Sequence, residues 1–128
     1  MQTGIKYEVT TKVTENNTAA SAKSGSLQVF STPFMVALME QAAAELCQQY
    51  ADEGMTTVGT ALDIKHLAAT YLGVEVRAVA TVTGFDGRKA TFEVEAYDNA
   101  GLIGKGTHER FFINIDKFMK KTVERAEL

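Results

Sequence analysis

Cysteine is almost missing from this chain, and Cys47 alone cannot close an internal disulfide. No basic stretch followed by a short apolar segment opens the sequence, so nothing points to export, and a reducing cytoplasm is the expected setting. Long hydrophobic runs are also lacking: no segment approaches the roughly 20 apolar residues of a membrane-spanning helix, and no membrane is expected as a partner. Charge of one sign is scarce. The formal net charge is −3 and the Lys and Arg residues are scattered, which excludes a nucleic-acid surface as the leading reading. Histidine occurs only as His66 and His108, too far apart to form a ligand pair at zinc spacing, so no metal site is expected. No G-x-S-x-G is present to seat a nucleophilic serine. The glycine-rich "GLIGKG" (Gly101 to Gly106) has no following helix whose N-terminus could hold a phosphate, and alternate glycines in a strand fit a bend or a close backbone approach better.

What is present suits one globular domain spanning 1–128. The 128 residues are 45% hydrophobic and 23% charged, enough to bury a moderate core without staples. "IKYEVTTKV" alternates, with Ile5, Tyr7, Val9 and Val13 on one parity, and reads as a first strand. The small, polar "TENNTAASAKSGS" (Thr14 to Ser26) reads as a connecting loop. Thr32 then offers an N-cap oxygen, Pro33, the one proline, suits the first helical position, and Gly54 is placed to end a long helix after Asp52 and Glu53. Four strand-like segments follow, "TVGTALDIKHLAAT", "VEVRAVATVTGF", "KATFEVEAYD" and "LIGKGTHERFFINI", parted by turn signals at Tyr71-Leu72-Gly73, Asp86-Gly87 and Asn99-Ala100-Gly101. One helix among five strands, with consecutive hairpins, predicts an α+β fold: an antiparallel sheet with the helix packed on one face. "DKFMKKTVERAEL" at the end reads as a short polar helix or a frayed tail.

Two polar residues run against their local pattern. Glu40 has Val36, Ala37, Ala43 and Ala44 as its helical neighbours, all apolar, whereas Glu45 has Gln41, Gln48 and Gln49 and belongs to a solvated face. A carboxylate in an apolar stripe needs a partner or a raised pKa. In "VGTALDIKHLAAT" the more apolar parity is Val58, Thr60, Leu62, Ile64, His66 and Ala68, so His66 points inward unless a bulge intervenes. An inward histidine beside an inward glutamate is an acid–base pair; a satisfied core histidine and a glutamate bonded to backbone are the plainer alternatives. His108, next to Glu109 and Arg110, reads equally well as part of a charged strand surface.

The order of "STPFMVALMEQAA", "VGTALDIKHLAAT" and "GLIGKGTHERFFI" over Phe30 to Lys117 resembles the hotdog-fold acyl-CoA thioesterases, in particular the fluoroacetyl-CoA thioesterase branch. The resemblance implies a hotdog fold: a five-stranded antiparallel sheet in the order 1-3-4-5-2 wrapped around one long central helix, with protomers joined edge to edge into a homodimer, or a tetramer of such dimers, and active sites at the seam. It also implies hydrolysis of acyl-CoA thioesters, with CoA as part of the substrate and no separate cofactor. The branch's catalytic threonine, glutamate and histidine fall on Thr32, Glu40 and His66, and its substrate-contacting glycine and arginine on Gly59 and Arg110. One departure stands out. Where the branch carries bulky aromatic residues in a lid ahead of the helix, this chain has "NNTAASAKSGSLQ", so graded activity on short- to medium-chain acyl-CoAs is expected in place of selection for a fluorinated acyl group.

On that reading Glu40 is either the nucleophile, through an acyl-enzyme anhydride, or the base that activates water, and His66 is the general acid–base residue. Thr32 either caps the helix or also orients the histidine or the acyl group. The Gly59 backbone N–H, with the helix N-terminus, is placed to meet an oxyanion, and Arg110 either holds polar substrate groups or simply pairs a surface acid. Two alternatives come from other classes: a hotdog dehydratase or hydratase, which would release no thiol, and a non-catalytic acyl-CoA-binding protein, which would need no acid–base pair.

Overall fold

The computed structural model describes residues 1–128. Strand β1 (Lys6–Lys12) is followed by a one-turn helix α1 (Ala19–Ala22), the long helix α2 (Thr32–Gln48), strands β2 (Met55–His66), β3 (Glu75–Phe85), β4 (Lys89–Asp98) and β5 (Gly101–Asn114), and a terminal helix α3 (Ile115–Ala126). The strands form one antiparallel sheet in the order β1-β3-β4-β5-β2, as the resemblance implied.

Helix α2 lies in the curve of this sheet. Its buried residues Met35, Leu38, Met39, Ala42, Ala43 and Leu46 recur at spacings of three and four, one continuous stripe of a helix. The stripe meets the inward parity of β3 (Val76, Ala78, Ala80, Val82) and β4 (Ala90, Phe92, Val94, Ala96), all buried. Alanines on the strands let the helix come close, while Phe92 and Leu46 supply bulk; burying each such large side chain stabilises the fold by roughly 1.5–3 kcal/mol. Bare Gly104 on β5 gives the Met35 side chain room, since a Cβ there would stand 2.6 Å from its Sδ.

Several boundaries differ from the sequence expectation. Ser31 caps α2, its Oγ accepting from Phe34 N at 3.2 Å, so Thr32 is the first helical residue and its hydroxyl is free for other work. The helix ends at Gln48, and Gly54, with φ of 80°, makes the turn into β2 instead. The segment Thr14 to Ser26 contains α1, capped by Thr18, and is tied down by Ala19 N donating to Val29 O and Ser31 N to Asn17 O. α3 is a full helix of 12 residues, capped by Asn114. The Asp86-Gly87 hairpin forms as read, with Asp86 Oδ1 accepting from Arg88 N and Lys89 N; these bonds hold the Asp86 carboxyl below its usual range.

β2 and β5 fall out of simple alternation at one point. Gly59 pairs with Arg110 and Ala61 with Glu109, so Thr60 is an extra residue, a β-bulge. Thr57 and Gly59 share a face with Phe112 and Arg110 before the bulge; Leu62, Ile64 and His66 share that same face with His108, Gly106 and Gly104 after it. The inward position of His66 is as expected, whereas Val58 and Thr60 belong to the opposite side.

Candidate active site

The N-terminal end of α2 and the C-terminal end of β2 meet at a pair of side chains. Thr32 Oγ1 and His66 Nδ1 are 2.8 Å apart, which Ser31 makes possible by taking the capping role. His66 Nε2 is buried and bonded to no protein atom. Burial pushes the His66 pKa below the ordinary histidine value, against a smaller opposing effect of the Ala68 backbone, so the ring is neutral at pH 7. A neutral imidazole with one nitrogen oriented by a hydroxyl and the other free is suited to proton transfer. A cleft of about 340 Å³ opens beside this pair, lined by small or apolar residues that include Ala19, Ser24, Val29, Ala68 and Ala69.

Two turns along α2, Glu40 faces β2 and β5. The Glu40 side chain is 37% exposed, at the margin of the apolar stripe and less buried than its neighbours in sequence suggest. A Cβ on Gly59 would stand 2.5 Å from Glu40 Oε2, so only glycine leaves the carboxylate its place. Arg110, itself buried, donates from Nη1 to Glu40 Oε2 at 3.5 Å, from Nε to Thr57 Oγ1 at 2.9 Å and from Nη2 to Thr57 O at 3.1 Å. Its pKa is pulled down by burial and up by Glu40 and then Cys47, and it starts high enough that the guanidinium stays charged. The Cys47 thiol nearby is pushed up to about 11 by burial, against the Arg110 charge and a bond from Thr57, and stays protonated and inert.

His108 joins this second group, so of the readings the sequence leaves open for it, a charged strand surface is the one that fails. It is 1% exposed, its Nδ1 lies 2.8 Å from Ala61 O and its Nε2 3.2 Å from Arg110 Nη1. The signal lay in its parity, which it shares with Arg110 and Phe112 on the inward face of β5. Of the two readings of Arg110, holding polar substrate groups or pairing an acid, the structure displays the contact with an acid, Glu40.

Thr32 with His66, and Glu40 with Gly59 and Arg110, are thus two groups. Glu40 is eight residues beyond Thr32, about 12 Å along the helix axis at 1.5 Å per residue, and no hydrogen bond joins Glu40 to His66 within the chain. No group of three His, Cys, Asp or Glu side chains is arranged to hold a metal ion, and no helix is long and apolar enough to cross a membrane.

Residues 13–116 match the family described as fluoroacetyl-CoA-specific thioesterase. The chain is 39% identical over 99 residues to the fluoroacetyl-CoA thioesterase of Streptantibioticus cattleyicolor, an alignment covering 77% of this chain and 71% of that protein. A solved structure of the fluoroacetyl-CoA thioesterase FlK superposes with a TM-score of 0.92 at 32% identity, over 97% of this chain and 96% of that one. A Thermus thermophilus protein of the thioesterase superfamily superposes with a TM-score of 0.88 at 30% identity, over 98% and 96% of the two chains.

Proposed function

This chain belongs to the fluoroacetyl-CoA-specific thioesterase family and is an acyl-CoA thioester hydrolase, and we propose that Thr32, Glu40 and His66 carry its chemistry as one site shared between two protomers. The observation that supports the shared site is the separation of the two groups within one chain together with the unpaired edge of β2. That edge strand is 12 residues long, and Gly59 to Asp63 are exposed on both faces, including Leu62 at 40%. A long bare edge of this kind is a template for pairing with a second strand. Antiparallel pairing of two β2 strands about a two-fold axis near Leu62 sets Gly59 and Glu40 of one protomer beside His66 of the partner subunit.

In this arrangement the thioester carbonyl lies over bare Gly59, whose backbone N–H meets the oxyanion. Glu40, held by a single long contact to Arg110, either takes the proton of the attacking water or attacks the carbonyl carbon itself; the carbon–sulfur bond then breaks, and on the second route water hydrolyses the resulting anhydride and restores the carboxylate. His66 delivers a proton from Nε2 to the departing CoA thiolate and recovers one from the water consumed in the hydrolysis, and Thr32 fixes the orientation of the ring through Nδ1. The products are a free acid and CoA, and no further cofactor enters. The residues 1–128 act as a single hotdog domain, in the cytoplasm, as a dimer.

For the acyl group, the small residues around the cleft beside His66 support acceptance of short- to medium-chain substrates. A plain pocket discriminates a methylene-sized difference by only about 1–3 kcal/mol. Thiol release from acetyl-, fluoroacetyl-, butyryl-, hexanoyl- and phenylacetyl-CoA in one buffer tests the reading. Graded kcat/KM values are expected. A preference for fluoroacetyl over acetyl of about 10⁴-fold or more would contradict the open cleft, and enoyl product without free thiol would show lyase chemistry.

A further inference from the structure

His108 is buried on the inward face of β5, beside the ring of Phe92 from β4, and does not touch the Thr32–His66 pair. Its two nitrogens have defined and different partners. The Ala61 carbonyl can only accept, so Nδ1 carries the proton at 2.8 Å from it. In a neutral ring Nε2 is then a lone pair, and Arg110 Nη1 at 3.2 Å can only donate to it. A second proton on Nε2 would point a cationic ring at a guanidinium in a buried place. The charged groups around the ring are Arg110 and Glu40, with Glu109 on the other side of the strand; burial is the largest influence and keeps the ring neutral.

The Thr60 bulge supplies the anchor for this ring, because the register shift between Gly59 and Ala61 occurs one residue from the carbonyl that His108 bonds. Arg110 is in turn held on three sides. Its Nε and Nη2 face Thr57, which leaves Nη1 alone to divide its two hydrogens between His108 Nε2 and Glu40 Oε2. A guanidinium free to turn would meet the carboxylate with two parallel bonds, the usual fork-to-fork pairing, and would blunt it as a base or nucleophile.

We propose that His108 is a positioning residue: its Nε2 lone pair holds Arg110 so that the guanidinium touches Glu40 through one nitrogen and leaves the carboxylate reactive. This rests on the role given to Glu40 above. The two bonds of the ring can be removed one at a time. His108→Asn retains a donor for the Ala61 carbonyl and loses the acceptor for Arg110, His108→Gln places an amide oxygen where Nε2 was and loses the Ala61 anchor, and His108→Leu loses both.

The test is kcat and KM for acetyl-CoA hydrolysis with thermal unfolding of each variant, alongside wild type and Glu40→Ala. Expected is a kcat about ten-fold or more lower for the Asn and Leu variants at nearly unchanged KM, with Gln within about three-fold of wild type. Rates that follow the unfolding temperature, or an Asn variant that is folded and fully active, would overturn the proposal. Should the variants not fold, the ¹⁵N resonances of His108 in the unmutated protein decide: a protonated Nδ1 and a lone pair at Nε2 are expected, and a proton on Nε2 overturns it. Hydrolysis by wild type that survives Glu40→Ala would refute the proposed role of Glu40 while leaving the ring's tautomer as a separate result.

Discussion

The two halves of the proposed site are built to opposite specifications. The Thr32–His66 pair is held by one side-chain bond, sits beside an open cleft, and leaves a buried ring nitrogen without a protein partner. Around Glu40 the neighbours are constrained: Arg110 bonds Thr57 twice, His108 bonds Ala61 and Arg110, and only a bare Gly59 leaves the carboxylate its place. A proton carrier must gain and lose a hydrogen bond during turnover, so its reacting atom has to be left free. A carboxylate that attacks or directs water must be in place before substrate arrives, because orientation set in advance need not be recovered at the transition state.

Removing either reacting group should have the largest effect. Glu40→Ala and His66→Ala are each expected to lower kcat by about 10²-fold or more while the protein stays folded, measured by thiol release together with thermal unfolding. Unchanged turnover in either variant would remove that residue from the mechanism. Gly59→Ala should come next. The new Cβ would stand 2.5 Å from Glu40 Oε2 and 3.2 Å from Arg110 Nη1, so the carboxylate must shift. A displacement of this kind costs up to about 10²-fold in kcat, and the constrained half should show it with little change in KM.

The pH response sharpens the contrast further. Burial lowers the pKa of both His66 and His108, so the unfolded chain binds more protons than the folded one as pH falls below the ordinary histidine value of about 6.5. Their contribution to stability is complete above that value and is lost as pH falls through the folded-state pKa values. Unfolding temperatures measured between neutral and mildly acidic pH should therefore decline, and the decline should be shallower in His108→Gln. The carboxylate of Asp86, lowered by backbone bonds, adds a separate loss only at more acidic pH, as the solution falls below the ordinary aspartate value of about 3.9.

The smallest effects separate two adjacent residues. Ser31→Ala removes the cap of α2 and should cost about 1 kcal/mol of stability with kcat unchanged. Thr32→Val, at an exposed position, should do the reverse, because its hydroxyl bonds His66 and not the helix. Equal behaviour of the two variants would erase the division of labour between them.

That division also marks where the sequence stops being readable. The helix, the five strands and their hairpins follow from periodicity and turn residues, and Glu40 and His66 stood out as polar residues on apolar faces. Ser31, Thr32 and Pro33 all favour a helix start, however, and propensity does not say which oxygen reaches which amide. The Thr60 bulge leaves no trace in a pattern of period two, since Thr60 is an ordinary strand residue and the extra count exists only relative to β5. Without the bulge, the inward positions of Thr57 and Gly59 are invisible, and His108 is judged by its neighbour Glu109 in place of its cross-strand partner Leu62. The spacing of Thr32 and Glu40 likewise says that they are two turns apart; a second chain that brings them to one substrate is suggested by the family resemblance and by the exposed β2 edge, and not by periodicity.

The shared site has a direct test. Chains carrying Glu40→Ala and chains carrying His66→Ala, each inactive alone, are unfolded, mixed in equal amounts and refolded, and hydrolysis of acetyl-CoA is followed by thiol release. If Glu40 of one protomer works with His66 of its partner, every hybrid dimer contains one intact site, and activity should return to roughly a quarter of that of an equal amount of wild type treated identically. If both groups come from the same protomer, every site in the mixture lacks one of them, and no activity above that of the separate variants would return.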